Sequence, residues 1–276
     1  MYTFVKLGGS VITDKAGQEA ADLPTIERLA AQVAAARAAR PGLPIVLGHG
    51  SGSFGHLYAA RYGVHRGLPP GSSGEDAQRF YAGFALTAGA ALRLNRIVVD
   101  ALLAAGVPAL SLQPSASLWA SGGQIAAWDT AHLARALAHG LVPVVHGDVA
   151  FDEAQGTAII STEALLTHLA EQPELRPGRV ILVGEDAVYT ADPRRDPSAR
   201  RVPLITAANL AEALGGAAGS HAVDVTGGMR SKLELMWRLV QRIPGLEVRL
   251  IGPAPGNPRA ALLGEPLDTG TTIRWA

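Results

Sequence analysis

Cysteine is absent from this chain of 276 residues, which excludes disulfides, thiol catalysis, iron–sulfur clusters and Cys-ligated zinc. Charge of one sign does not predominate either. Basic and acidic residues number 24 each, so no global basic field is present to recruit nucleic acid or an anionic membrane. Long hydrophobic runs are missing: the longest uncharged helical stretch, residues 80–92, is bounded by Arg79 and Arg93 and falls short of the about 20 residues that span a bilayer. Residues 1–6 lack the basic-then-apolar layout of a signal peptide. Together these absences predict a soluble, cytoplasmic protein with no nucleic-acid or membrane partner. Lysine is also scarce, with Lys6, Lys15 and Lys232 the only three among the 24 basic residues. In an Ala- and Arg-rich chain, a retained lysine marks a place that needs a compact ammonium rather than a planar fork. Chance explains any one of them, but all three lie in or beside Gly/Ser/Thr-rich turns.

What is present is ample apolar material. Hydrophobic residues make up 48% and charged residues 17%, enough for a sizeable core and contrary to general disorder. The length fits one large α/β domain or two small ones. Short β-like runs at residues 4–7, 45–47, 107–112, 141–145, 180–183, 248–251 and 271–275 alternate with helical patterns at 24–40, 75–105, 130–139, 229–242 and about ten residues from Ser161. Two further β-like segments fall within 118–128, and a hairpin is expected over 149–160. Such alternation predicts a largely parallel sheet covered on both faces. The pattern is interrupted near residues 174–180, which would divide an N-terminal lobe, 1–175, from a C-terminal lobe, 176–276.

Three motifs carry chemistry. Lys6-Leu7-Gly8-Gly9-Ser10 follows the opening strand. At the carboxyl end of a parallel strand, glycines let backbone N–H groups approach phosphate oxygens, and an ammonium neutralises them. The plainer reading is a tight turn that needs glycine. Gly50-x-Gly52-x-x-Gly55 satisfies the dinucleotide-binding spacing, with Glu75 twenty residues on. That fingerprint expects its acidic residue after a second buried strand, whereas Glu75 follows turn sequence, and the residues between Gly55 and Gly63 promise only a poor helix. A phosphate-binding loop closed by His56 remains. In the third motif, Asp224-Val-Thr226-Gly-Gly228-Met-Arg-Ser-Lys232, two glycines precede a helix with a lysine one turn in. This is either an anion site or simple capping by Thr226. No P-loop and no protein-kinase signature occurs.

In themselves and in their order along the chain these motifs, with His146-Gly147-Asp148, resemble the amino acid kinase superfamily over residues 6–232. Gly-Ser-Phe-Gly-His56, Ser-Leu-Gln-Pro-Ser115 and Asp-Val-Thr-Gly-Gly-Met229 are similar to the isopentenyl phosphate kinases within it. The resemblance implies an α/β fold, a three-layer αβα sandwich around an open, mainly parallel sheet. It further implies an acceptor-binding N-terminal lobe, a nucleotide-binding C-terminal lobe and a homodimer joined through the acceptor lobes. The implied reaction passes the γ-phosphoryl group of ATP to isopentenyl phosphate, giving isopentenyl diphosphate. The implied ATP-phosphate contacts are Lys6, Leu7, Gly8, Gly9, Ser10 and Gly52, with Asp186, Gly228 and Lys232 on the nucleotide side. Lys6 and Lys15 would face the transferring group, and Asp148 would hold the lysines in position. Ser51, Gly52, His56 and Thr162 would touch the acceptor. Magnesium would ride on ATP oxygens and water, with no protein metal ligands.

The chain departs from the family pattern in three places. Ser51 stands where many relatives have glycine. Ser161-Thr162-Glu163-Ala164 replaces S-G-D-[DE], and Gly184-Glu-Asp186-Ala-Val-Tyr189 replaces T-D-x-D-G-V. A phosphate monoester acceptor is already anionic, so attack needs no general base. Repulsion between anions must instead be overcome electrostatically. His56 and the apolar Phe80 and Phe84 favour an oily monoester over the alternatives, a phosphonate antibiotic, a nucleoside monophosphate, or a non-catalytic nucleotide sensor on the same fold.

Overall fold

The computed structural model describes residues 1–14, 17–217 and 228–275. The strands are β1 Tyr2–Leu7, β2 Ile45–His49, β3 Ala109–Ser111, β4 Leu118–Ser121, β5 Gln124–Trp128, β6 Val142–His146, β7 Asp148–Asp152, β8 Gly156–Ile160, β9 Pro177–Val183, β10 Leu204–Ile205, β11 Glu247–Ile251 and β12 Thr271–Arg274. The helices are α1 Gly9–Ile12, α2 Leu23–Ala39, α3 Gly52–Tyr62, α4 Gly74–Ala104, α5 Ala131–Ala138, α6 Thr162–Glu171, α7 Leu210–Ala217, α8 Gly228–Arg242 and α9 Asn257–Leu263.

Eight strands form one sheet in the order β10-β12-β11-β9-β1-β2-β6-β3. The antiparallel β11–β12 pairing breaks the parallel run, so β12 and β10, which is parallel to it, run against the other six strands. β1 lies at the centre between β2 and β9, so the sheet continues across residue 175. Strand period two assigns its side chains to opposite faces. Val5 and Leu7 join the core formed with α2, α4 and α9, while Phe4 joins the core formed with α6 and α8. Lys6 shares the face of Phe4 and therefore points toward α6 and α8. This is the expected three-layer αβα sandwich.

The segments within 118–128 and 149–160 unite in a second sheet, β5-β4-β7-β8. Asp152 staples it: its carboxylate accepts N–H bonds from Gly122, Gly123, Ala154 and Gln155 at 2.7–3.0 Å, closing the turns of both hairpins.

One element differs from expectation. The residues after Gly55 form a well-made helix, α3, stopped by Gly63 in the left-handed region at φ 71. Its Phe54 and Ala59 are buried, and packing supplies what local propensity lacks. Glu75 falls in the first turn of α4, so the dinucleotide reading fails for the reason given by the sequence. Among the described residues α4 alone is long and apolar enough to cross a bilayer by length and composition. Its Ala90, Leu94, Val98 and Leu102 are instead packed in the core.

Burial pushes the Asp152 carboxyl up, but four N–H bonds outweigh it and hold it below its ordinary value. Its stabilising effect is therefore present above the unfolded value near pH ~4 and is lost as pH falls through the depressed folded value. Asp152→Asn is expected to lower unfolding free energy by about 3 kcal/mol at neutral pH, with the gap to wild type narrowing in acid. Urea denaturation at neutral pH and near pH ~3 checks both points; equal midpoints at neutral pH would refute the staple.

Candidate active site

Parallel register brings four turns to one level. Leu7 pairs with His49 and Val183, and His49 pairs with His146, so the chain leaves β1, β2, β6 and β9 side by side, the usual ligand position in such sheets. A cleft of about 790 Å³ opens there, lined by Gly9, Ser51, His56, Glu163 and Lys232 with Lys6.

The first two turns interlock backbone to backbone. A Cβ on Gly9 would lie 2.5 Å from Gly52 N, and one on Gly50 would lie 2.9 Å from Gly9 N; neither position admits a side chain. Gly52 also adopts φ +49, where glycine is favoured. Thr13 braces the junction, its hydroxyl donating to Gly9 O at 2.8 Å and accepting from Ser53 N at 3.1 Å. The N-terminus of α3 thus opens into the cleft. Ser51 makes no side-chain capping bond there, so the partial positive charge of the helix end is directed at the cavity.

Lys6 donates to the carboxylate of Glu163, which is 8% exposed at the start of α6. Burial raises the Glu163 carboxyl, yet the charges of Lys6 and Lys232 outweigh it and hold the group below its ordinary value. Two ammonium groups, from β1 and α8, therefore act on one ionised carboxylate at the cleft.

The structure brings Lys6, Gly8, Gly9, Ser10, Ser51, Gly52, His56, Thr162 and Lys232 to this cleft. Gly228 opens α8 at φ +68, while Met229 and Lys232 reach the lining. Other expectations are corrected. Leu7 is buried in the core, and its carbonyl accepts from Gly50 N. Asp148, expected to hold the lysines, instead begins β7 of the second sheet directly after Gly147, where its carboxylate accepts from Ser115 N at 3.2 Å and Val149 N at 2.9 Å. Burial pushes its carboxyl up, against those bonds. Glu163 occupies the place given to it, and the signal was already present in the Ser161–Ala164 departure. Asp186 is exposed and lies against Gly252, leaving Glu185 to line the cleft. Thr162 spends its hydroxyl proton on His49 O at 2.6 Å. Phe80 is buried on α4 and Phe84 packs on Phe151 with ring centroids 4.9 Å apart; apolar lining residues contributed by α3 and β8 include Leu57, Ala60, Ile159 and Ile160. Lys15, Asp224 and Thr226 lie outside the described residues.

Beneath the turns, His49 and His146 stack with centroids 5.6 Å apart, both fully buried. His49 Nδ1 is 3.1 Å from Gly50 O, and its Nε2 is 3.1 Å from the side-chain amide of Asn95. His49 O accepts Gly147 N at 3.0 Å as well as the Thr162 hydroxyl. Burial, joined for His49 by the neighbouring His146, lowers both imidazoles to about 4. The folded protein therefore keeps both rings neutral at pH values where the unfolded chain, titrating near 6.5, has taken up two protons. Stability is expected to be flat above pH ~6.5 and to fall by about 1.4 kcal/mol per pH unit for each ring down to pH ~4. Urea midpoints at pH ~7.5, ~6 and ~5 for wild type and His146→Phe test this, since the variant should lose about half the slope; an unchanged slope would remove His146 from the account.

The model of the amino acid kinase family matches residues 1–251. Isopentenyl phosphate kinase of Methanothermobacter thermautotrophicus is 40% identical over 274 residues, covering 98% of this chain and 97% of that protein. The Arabidopsis thaliana isopentenyl phosphate kinase is 29% identical, over 84% of this chain and 73% of that one. A solved structure of isopentenyl phosphate kinase superposes with TM-score 0.80 at 35% identity, covering 99% of this chain and 100% of the other. Aspartate kinase from Synechocystis, at 16% identity and TM-score 0.66, covers 100% of this chain and 40% of its own, and shares the fold. With the family match running from β1 through β11 and a 40%-identical relative aligned almost end to end, the chain belongs to the amino acid kinase family, in its isopentenyl phosphate kinase branch.

Proposed function

We propose that the protein transfers the γ-phosphoryl group of ATP to isopentenyl phosphate, giving isopentenyl diphosphate and ADP. The observation that carries this reading is the pair of lysines, Lys6 and Lys232, set around one buried carboxylate at the mouth of the α3 N-terminus. An oxygen of the acceptor phosphate forms the new bond to the γ-phosphorus as the bond to the β,γ-bridging oxygen breaks. The acceptor is already an anion, so no proton need be removed. The task is to offset charge on the transferring group. Lys6 and Lys232 supply that charge in this reading, joined by Lys15. Gly8, Gly9 and Ser10 hold the donor phosphates, and Ser51, Gly52 and His56 hold the acceptor phosphate. Glu163 sets the spacing of the two lysines. Thr162, its hydroxyl proton committed to His49 O, orients the start of α6.

The remaining assignments follow the family. Residues 1–175 form the acceptor lobe and 176–276 the nucleotide lobe, Gly228 opening the nucleotide-side helix. A cytoplasmic homodimer joined through the acceptor lobes completes the reading. Among the described residues no three metal-ligating side chains converge, and Glu163 is engaged with lysine. In this reading magnesium accompanies the nucleotide phosphates and water.

Lys6→Ala and Lys232→Ala are each expected to lower kcat by roughly 10²–10³, the scale for one preorganised donor, while affecting acceptor KM much less. ADP release with ATP, magnesium and isopentenyl phosphate is the readout, and near-normal kcat in either variant removes that lysine from the transition state. A second expectation concerns the hydrocarbon tail. If Leu57, Ala60, Ile159 and Ile160 receive it, shortening the acceptor toward methyl phosphate should cost about 0.8 kcal/mol per methylene in kcat/KM. Equal kcat/KM across that series would sink the isoprenoid acceptor while leaving a kinase.

A further inference from the structure

Glu19 is the single described non-glycine residue in the left-handed region, at φ +49. It sits in a turn whose base is closed by pairing of Thr13 with Ala21 and by Asp14 N donating to Ala20 O at 2.9 Å. Gly17 and Gln18, just before it, line the cleft. Its carboxylate leaves the turn altogether. Oε1 accepts from the Tyr58 hydroxyl of α3 at 2.9 Å, and Arg93 of α4 grips both oxygens, Nε to Oε2 at 2.7 Å and a terminal nitrogen to Oε1 at 2.5 Å. Gln18 Nε2 also reaches the Tyr58 hydroxyl at 3.4 Å. One side chain thus joins the turn to two helices, and α3 carries His56, Leu57 and Ala60, which line the cleft as Gly17 and Gln18 do.

Half-exposed Arg93 makes this a weak contributor to global stability, as surface ion pairs generally are. A bidentate fork nevertheless fixes geometry, and a strained backbone persists only where its surroundings over-determine it. The Arg93 guanidinium holds the Glu19 carboxyl below its ordinary value, so the fork is fully charged at neutral pH.

We propose that Glu19 is a positioning residue that sets the width of the acceptor side of the cleft, by clamping the Gly17–Gln18 wall to α3 through Tyr58 and to α4 through Arg93. The functional half of this proposal rests on the kinase reading above; the clamp itself does not. In Glu19→Gln and Arg93→Met the KM for isopentenyl phosphate should rise roughly tenfold, with the KM for ATP within about twofold and the melting temperature within about 2 °C of wild type. The double variant should be no worse than either single one, because both remove the same contact. The exchanged pair Glu19→Arg with Arg93→Glu should regain part of the loss. Hydrogen exchange reads the clamp without turnover: in Glu19→Gln, amides of residues 17–21 and of the first turns of α3 should exchange about tenfold faster, while β1 and β2 stay unchanged. Unchanged exchange at 17–21 overturns the clamp. Faster exchange with both KM values unmoved, or with both raised alike, overturns its role in acceptor positioning. Wild-type protein that turns over no phosphate monoester overturns the kinase reading, and the exchange result then decides the clamp alone.

Discussion

Two stretches of backbone, Gly8-Gly9 after β1 and Gly50-Ser51-Gly52 after β2, touch with no side chain between them, and the rest of the site is arranged around that contact. A methyl group at Gly9 would collide with the amide of Gly52. Because the contact is main chain to main chain, its geometry is set by parallel register, Leu7 beside His49, rather than by rotamers. The consequence is electrostatic. The N-terminus of α3 is held against the turn that follows Lys6, so helix-end N–H groups and an ammonium share one cavity without any of them having to move.

His49 transmits this constraint sideways. Its ring lies under the Gly50 carbonyl, and its own carbonyl takes both the Gly147 amide and the Thr162 hydroxyl. The residue after Thr162 is Glu163, so the carboxylate that faces Lys6 is placed by a hydrogen bond to the end of β2. A buried hydroxyl and two buried imidazoles are costly unless their geometry is useful. Here they join the ends of β2 and β6 to the start of α6.

Much of this was legible in the chain itself. Glycine, strand alternation and the position of lysines after strands are local signals, and they located the turns after β1 and β2, the order of the elements and the parallel sheet. Contacts between distant residues were not legible. Lys6 and Glu163 are 157 residues apart, and only the sheet face that Lys6 shares with Phe4 brings them together. Asp148 drew its assignment from the family resemblance of His146-Gly147-Asp148, yet it begins a strand of the second sheet, where its carboxylate meets the Ser115 and Val149 amides. Local propensity hid α3 for a related reason: its early glycines weaken it alone, whereas burial of Phe54 and Ala59 holds it in place. Phe80 and Phe84 look like tail contacts by composition, but their ring neighbours on and beside α4 take them away from the cleft.

The scarcity of lysine then acquires a structural meaning. Arginine serves throughout the surface network, as in the forks that meet Glu19 and Glu247, where a planar donor set matches a carboxylate. At Lys6 the side chain rises from a central strand into a space bounded by α6 and α8, with a backbone turn immediately beyond. A guanidinium there would bring a larger, forked group into a cavity framed by glycine backbone. An ammonium can share Glu163 with Lys232 and still present donors to an incoming anion, because its charge is compact and its three N–H bonds rotate freely. The single carboxylate, lowered by both lysines against the cost of its own burial, keeps two like charges close together. An entering phosphate competes with it for the same donors, so the cleft favours polyanions for the same reason that it is stable without one.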